Sequence, residues 1–155
     1  MNRITGEMTT AASLKKQSLV RTVLCWLCAA VFGLAAWGKL RDPLAFADSI
    51  ADYRLMAWGP GITLLALGLP VFEMLLALLL VTGRWNRAAV LGMTGLTLIF
   101  TVALISAAAR GLNIDCGCSG GGWLPALSIP WAIVRNTLLL GAGAWLIDST
   151  KKLDN

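Results

Sequence analysis

From Ala88 to Ala109 the chain runs without a single charged side chain. A helix apolar on every side is either buried in a large protein or placed in lipid. Three further apolar segments accompany it, at about Leu19–Leu40, Gly59–Thr82 and Leu124–Ile147. Each can cross a hydrocarbon core of about 30 Å as a helix rising 1.5 Å per residue. Lipid offers no water to exposed backbone groups, so helices are the economical way to cross it. With 155 residues, 57% apolar and 14% charged, the chain falls well below the roughly 25% charge usual in soluble domains. It is too small to hide so much apolar surface from water. A soluble enzyme, a disordered chain and a nucleic-acid-binding module are thereby excluded. The net charge of +5 is scattered between apolar runs and forms no patch for nucleic acid.

The expected fold is therefore all-α: an integral membrane four-helix bundle whose main partner is the lipid bilayer. Residues 1–18 read as a cytoplasmic leader, 19–148 as the four-helix domain and 149–155 as a cytoplasmic tail. The first apolar run exceeds a signal-peptide core, and no convincing small-residue cleavage site follows it. It reads as a retained span. Trp37, Trp58, Trp85, Trp123 and Trp145 fall at or just beyond the span ends, where indoles favour the lipid–water interface. Eight Lys and Arg residues lie on the side of the two termini: Arg3, Lys15, Lys16, Arg21, Arg84, Arg87, Lys151 and Lys152. Lys39, Arg41, Arg54 and Arg110 lie on the other side. That bias predicts cytoplasmic termini and periplasmic first and third loops.

In the first outer loop, Asp42 before Pro43 reads as a helix N-cap with proline at the first helical position. Phe46, Ile50 and Tyr53 then recur at helical spacing. A short amphipathic helix follows, either lying on the membrane and lidding the bundle or offering a partner surface.

The third outer loop carries the chemistry, in the run Asp115-Cys116-Gly117-Cys118 after Arg110. Two cysteines one glycine apart at an oxidising face can form a disulfide. Gly117 can supply the unusual backbone angles of so small a ring. The bond closes too short a loop to stabilise much, and strain makes it reducible. Exchange chemistry explains the pair better than stapling does. Incidental loop cysteines and capture of a soft ion such as Cu(I) compete with this reading. The chain has no histidine, and a tetrahedral zinc site lacks ligands. Asp115 disfavours the neighbouring thiolate, whereas Arg110 favours it if the loop folds back.

Cys25 and Cys28, at i,i+3 in the first span, read as small apolar packing groups. Glu73 and Arg135 are the ionisable residues deep within spans, where each alone is expensive. Glu73 lies about 20 Å along its helix by rise. An Arg135–Glu73 pair is the expected arrangement, serving either to join the second and fourth helices or to handle protons. Asn136 adds polarity beside it, and Pro70 frees a backbone carbonyl one turn before Glu73.

Several of these runs resemble one family. Trp37-Gly38-Lys39-Leu40-Arg41-Asp42-Pro43 with Phe46 and Tyr53, then Leu69-Pro70-Val71-Phe72-Glu73, Arg110-Gly111, Cys116-Gly117-Cys118, and Trp131 with Arg135-Asn136 are similar to elements of MauE-like proteins. That family, grouped with DoxX-like proteins, is named for an accessory protein of methylamine utilisation. Ser119 stands where the family commonly has an aromatic residue. The resemblance implies a bacterial inner-membrane protein working beside periplasmic thioredoxin-like proteins. It implies help with disulfide formation or maturation of an exported client through Cys116 and Cys118. Glu73 and Arg135 would support them, with a quinone as the one cofactor to consider, by analogy alone. A copper-like carrier and a non-catalytic assembly factor are the alternatives.

Overall fold

A computed structural model describes residues 2–54, 59–83, 86–112 and 129–154. Among these residues the chain is all helix, with no strand. The elements are α1 (Asn2–Arg41), α2 (Pro43–Asp52), α3 (Pro60–Thr82), α4 (Asn86–Ala109) and α5 (Ile129–Asp154). Three helical stretches are long and apolar enough to cross a membrane: Lys15–Arg41, Pro60–Thr82 and Arg87–Ala109. The helix α5 is as long, at 26 residues, but Arg135 and Asn136 dilute its apolar run.

Local chemistry sets most of the boundaries. The Asp42 carboxylate accepts a hydrogen bond from the Ala45 amide at 3.0 Å, and Pro43 opens α2, as an N-capped helix requires. Pro60 opens α3 after Gly59, without a side-chain cap, and Gly83 closes it at φ 68°. At the end of α4, Gly111 takes φ 66°. Its amide donates to the Ala108 carbonyl and that of Leu112 to Ala107, at 3.0 and 3.1 Å. This is a Schellman closure, in which glycine carries the left-handed residue without a Cβ penalty. The described part of α5 begins at Ile129, with Pro130 in its first turn.

The buried residues of each helix fall on one stripe. In α1 they are Cys25, Cys28, Ala29, Phe32, Ala36 and Lys39; in α3, Ile62, Ala66, Pro70, Glu73, Leu76, Ala77 and Leu80. The helix α1 packs chiefly on α3, and α4 chiefly on α5. Close approach of α4 and α5 depends on Gly143, where a side chain would collide with the Thr94 hydroxyl. Outward positions carry large apolar side chains, such as Leu64 at 73% and Leu138 at 70% exposure. In water such faces would be an aggregation hazard; in lipid they are the solvent-facing side.

The short helix α2 has a definite seat. Phe46 and Ala47 pack on Ile62 and Ala66, in the first turns of α3. Lys39 lies two residues before the end of α1, yet it meets Glu73, about 20 Å along α3 by rise. Hence α1 stops against the middle of α3, and α2 covers the length of α3 that α1 leaves bare.

Candidate functional site

Near the meeting point of α1, α2 and α3, the buried stripes of α1 and α3 bring a lysine and a glutamate together. Lys39 Nζ donates to both Glu73 carboxylate oxygens, at 2.6 and 2.8 Å. The side chains are 2% and 3% exposed. The ammonium also lies 4.9 Å from the Phe46 ring centroid and 5.0 Å from that of Phe100. Both distances suit a cation–π contact, which matters more when the cation is desolvated. The short helix thus supplies one aromatic wall of the ion pair.

Arg135 occupies the same neighbourhood without pairing directly with Glu73. Its Nε and Nη2 point at the Asn136 side-chain carbonyl, at 3.4 and 3.1 Å. Asn136 Nδ2 donates in turn to Thr101 Oγ1 at 3.3 Å. Thr101 and Thr97 donate to the carbonyls of Thr97 and Met93, at 2.7 and 2.8 Å. A cavity of about 30 Å³ lies between these groups, lined among others by Lys39, Glu73, Thr97, Phe100, Arg135 and Asn136.

The expected Arg135–Glu73 pair is therefore corrected: the direct partner of Glu73 is Lys39, with Arg135 across the cavity. Counting along the sequence made Lys39 an anchor at the end of a span, free to reach water. The fold denies it that option, because α2 covers the end of α1 and Phe46 closes over the ammonium. A signal was present in the sequence. Position 39 continues the stripe of Cys25, Cys28, Phe32 and Ala36 at three- and four-residue steps. Arg41 lies off that stripe, and its guanidinium rests over Trp37 at 5.3 Å.

Arg110 performs a structural task at the end of α4. Its Nη2 donates to the Tyr53 carbonyl at 2.7 Å and its Nε to the Ser106 carbonyl at 3.1 Å. Tyr53, at the end of α2, packs with Leu104 of α4 and with Ala132 and Ile133 of α5. Burial holds its phenol above the ordinary tyrosine range, while the positive charge of Arg135 pulls the other way. Both described flanks of residues 113–128 therefore sit beside Tyr53. Asp115, Cys116, Gly117 and Cys118 themselves lie outside the described residues. Cys25 and Cys28, 3% and 2% exposed, belong to the apolar core between α1, α3 and α4. Among the described residues no group of three His, Cys, Asp or Glu side chains could hold a metal ion. The cavity does not fit a quinone, whose ring and carbonyls are several times larger than its volume.

Spanning helices whose charged groups are turned inward against one another define a multi-pass membrane protein with a buried ionic centre. The family described as "Methylamine utilisation protein MauE" matches residues 17–148. A methylamine utilization protein MauE from Paracoccus denitrificans is 32% identical over 136 residues, covering 83% of this chain and 70% of that protein. The chain belongs to the MauE family. No solved structure matches it significantly.

Proposed function

We propose that this chain is a membrane thiol–disulfide redox protein that assists periplasmic disulfide formation or maturation of an exported enzyme. One observation carries the reading: Cys116 and Cys118, one glycine apart, lie on the connection from α4 to α5. Both flanks of that connection are tied down beside Tyr53, at the end of the bundle where α2 sits. A rigid rim below an exchange loop lets the thiols meet a soluble partner while the bundle stays in place.

In the reaction, a thiolate of a thioredoxin-like partner attacks one sulfur of the Cys116–Cys118 disulfide. A mixed disulfide forms and the other cysteine leaves as a thiolate. The partner's second thiol then displaces the first sulfur. The partner becomes a disulfide and this chain a dithiol, with two electrons and two protons transferred; run backwards, the same steps reduce the partner. The relative's name points to methylamine utilisation as the setting of the exported client.

The topology of the proposal is four spans in a bacterial inner membrane, with α5 as the fourth. Arg135 and Asn136 lower its apolarity, but Asn136 is buried against Thr101 and both residues line the cavity. Lys and Arg counts put both termini in the cytoplasm and the dithiol in the periplasm. On this reading α2 lies at the periplasmic surface as an amphipathic lid, and Glu73 and Arg135 organise the bundle below the thiols.

Membrane-impermeant maleimide tests topology and redox state together. Cys116 and Cys118 should label in intact cells only after reduction, and Cys118→Ser or Cys116→Ser should trap a mixed disulfide on a non-reducing gel. Full activity with both thiols removed and nothing trapped would sink the redox reading. Stoichiometric copper lost with both thiols would replace it with soft-metal carriage.

A further inference from the structure

Among the described residues, the charges around the cavity do not cancel. Lys39 and Glu73 neutralise each other through two short hydrogen bonds. Arg135 remains, and its guanidinium meets the neutral amide oxygen of Asn136. Among the described residues, Glu73 is the one carboxylate lining the cavity. Among the described residues, the three ionised groups there sum to one positive charge. Arg135 is part-buried, and within a span a guanidinium with no carboxylate partner among the described residues is costly, so such a group pairs, binds a counter-ion or lines a cavity. The cavity lies at that unbalanced point. A single water needs about 10–15 Å³, so the roughly 30 Å³ present admits a monatomic ion or a very compact polyatomic one. Phe32 and Phe100 form apolar walls, and Asn136 is 2% exposed. Weak screening by such surroundings strengthens attraction between the guanidinium and an anion.

We propose that this cavity is a binding site for one small monovalent anion, a halide or a formate-sized carboxylate, with Arg135 as its charge partner. The Lys39–Glu73 pair forms the far wall and Asn136 holds the guanidinium towards the space. The proposed binding does not depend on the chemistry of the thiols. Its function is to complete the charge balance among α1, α3, α4 and α5, so occupancy should be read as stability of the bundle.

The test is thermal unfolding of the purified full chain in detergent, with chloride, bromide, formate or gluconate at equal ionic strength. Chloride and bromide should raise Tm by several degrees over gluconate, with a saturable dependence on concentration, because a ligand bound only to the folded state stabilises it by mass action. Formate stabilising alone, with halides inert, would identify the bound group as a carboxylate. Arg135→Gln should abolish the saturable rise, while Arg21→Gln, remote from the cavity, should retain it. Should Arg135→Gln fail to fold, Asn136→Asp carries the test, since it builds a carboxylate beside the guanidinium. That variant should be as stable in gluconate as the natural protein in chloride, and indifferent to added anion. Equal Tm in all four salts overturns the proposal, as does an unchanged chloride dependence in Asn136→Asp. A dependence that emerges only in Asp115→Asn also overturns it, because a carboxylate of the chain then fills the cavity.

Discussion

The two ends of the helix bundle solve opposite packing problems. At the end remote from α2, Cys25, Cys28, Leu80 and Val90 pack as an apolar core. At the end that carries α2, the same helices bring Lys39, Glu73, Arg135 and Asn136 together. Apolar contacts between spanning helices gain little from the hydrophobic effect, because lipid is as apolar as leucine; shape and close approach hold that end. The ionic end is held differently. Each charge is tolerable only because its neighbours are present, so geometry there is specified by electrostatics. Cysteines in the first setting are fillers, and the basic residue in the second is the centre of the structure.

Single substitutions at the ionic end should therefore have the largest effect. Glu73→Ala or Lys39→Ala leaves one buried charge without its partner and should destabilise by about 3–5 kcal/mol, read by unfolding in detergent. The double variant Lys39→Met with Glu73→Leu should recover most of that loss. Equal damage from the single and double variants would remove the electrostatic half of the contrast.

At the apolar end, Met93→Ala should cost about 2–5 kcal/mol through lost packing alone. Its effect should be insensitive to the anion present, which separates it from Arg135→Gln. Removing the tie at the rim, Arg110→Ala, should cost about 1 kcal/mol or less through the lost, exposed hydrogen bond to the Tyr53 carbonyl. Hydrogen exchange should then rise first at Tyr53 and the end of α4. Smallest of all, Cys25→Ala and Cys28→Ala should each cost about 1 kcal/mol or less and leave partner trapping by Cys118→Ser unchanged. Loss of trapping in either variant would make those thiols chemical participants and end the description of them as fillers.

Much of this architecture is legible before any coordinates. Apolar runs mark the candidate spans, and Asp42-Pro43 marks α2, because these signals act within a few turns. The ionic centre is only half legible. Glu73 and Arg135 stand out because nothing nearby in sequence excuses a charge there. Lys39 does not, since a lysine near a span end normally reaches water along its own stem. Its burial depends on how far α1 runs against α3 and on the aromatic ring that α2 places over it. Neither is a local property. The continuing buried stripe through Ala36 to position 39 is the one sequence clue, and it becomes persuasive only when α2 closes the way out.

What the sequence by itself determined was the solvent and the local units: lipid around helices and a capped short helix in the first loop. Hydropathy, caps and glycine conformations are local energies, and they carry through to the folded molecule. Tertiary structure alone decided the partnership. It matched Glu73 with Lys39, turned Arg135 towards Asn136 and a small cavity, and used Arg110 to tie α4 to α2. Long-range electrostatics in a low-dielectric interior depends on a few ångströms of helix register, and register is settled only when all the helices pack together.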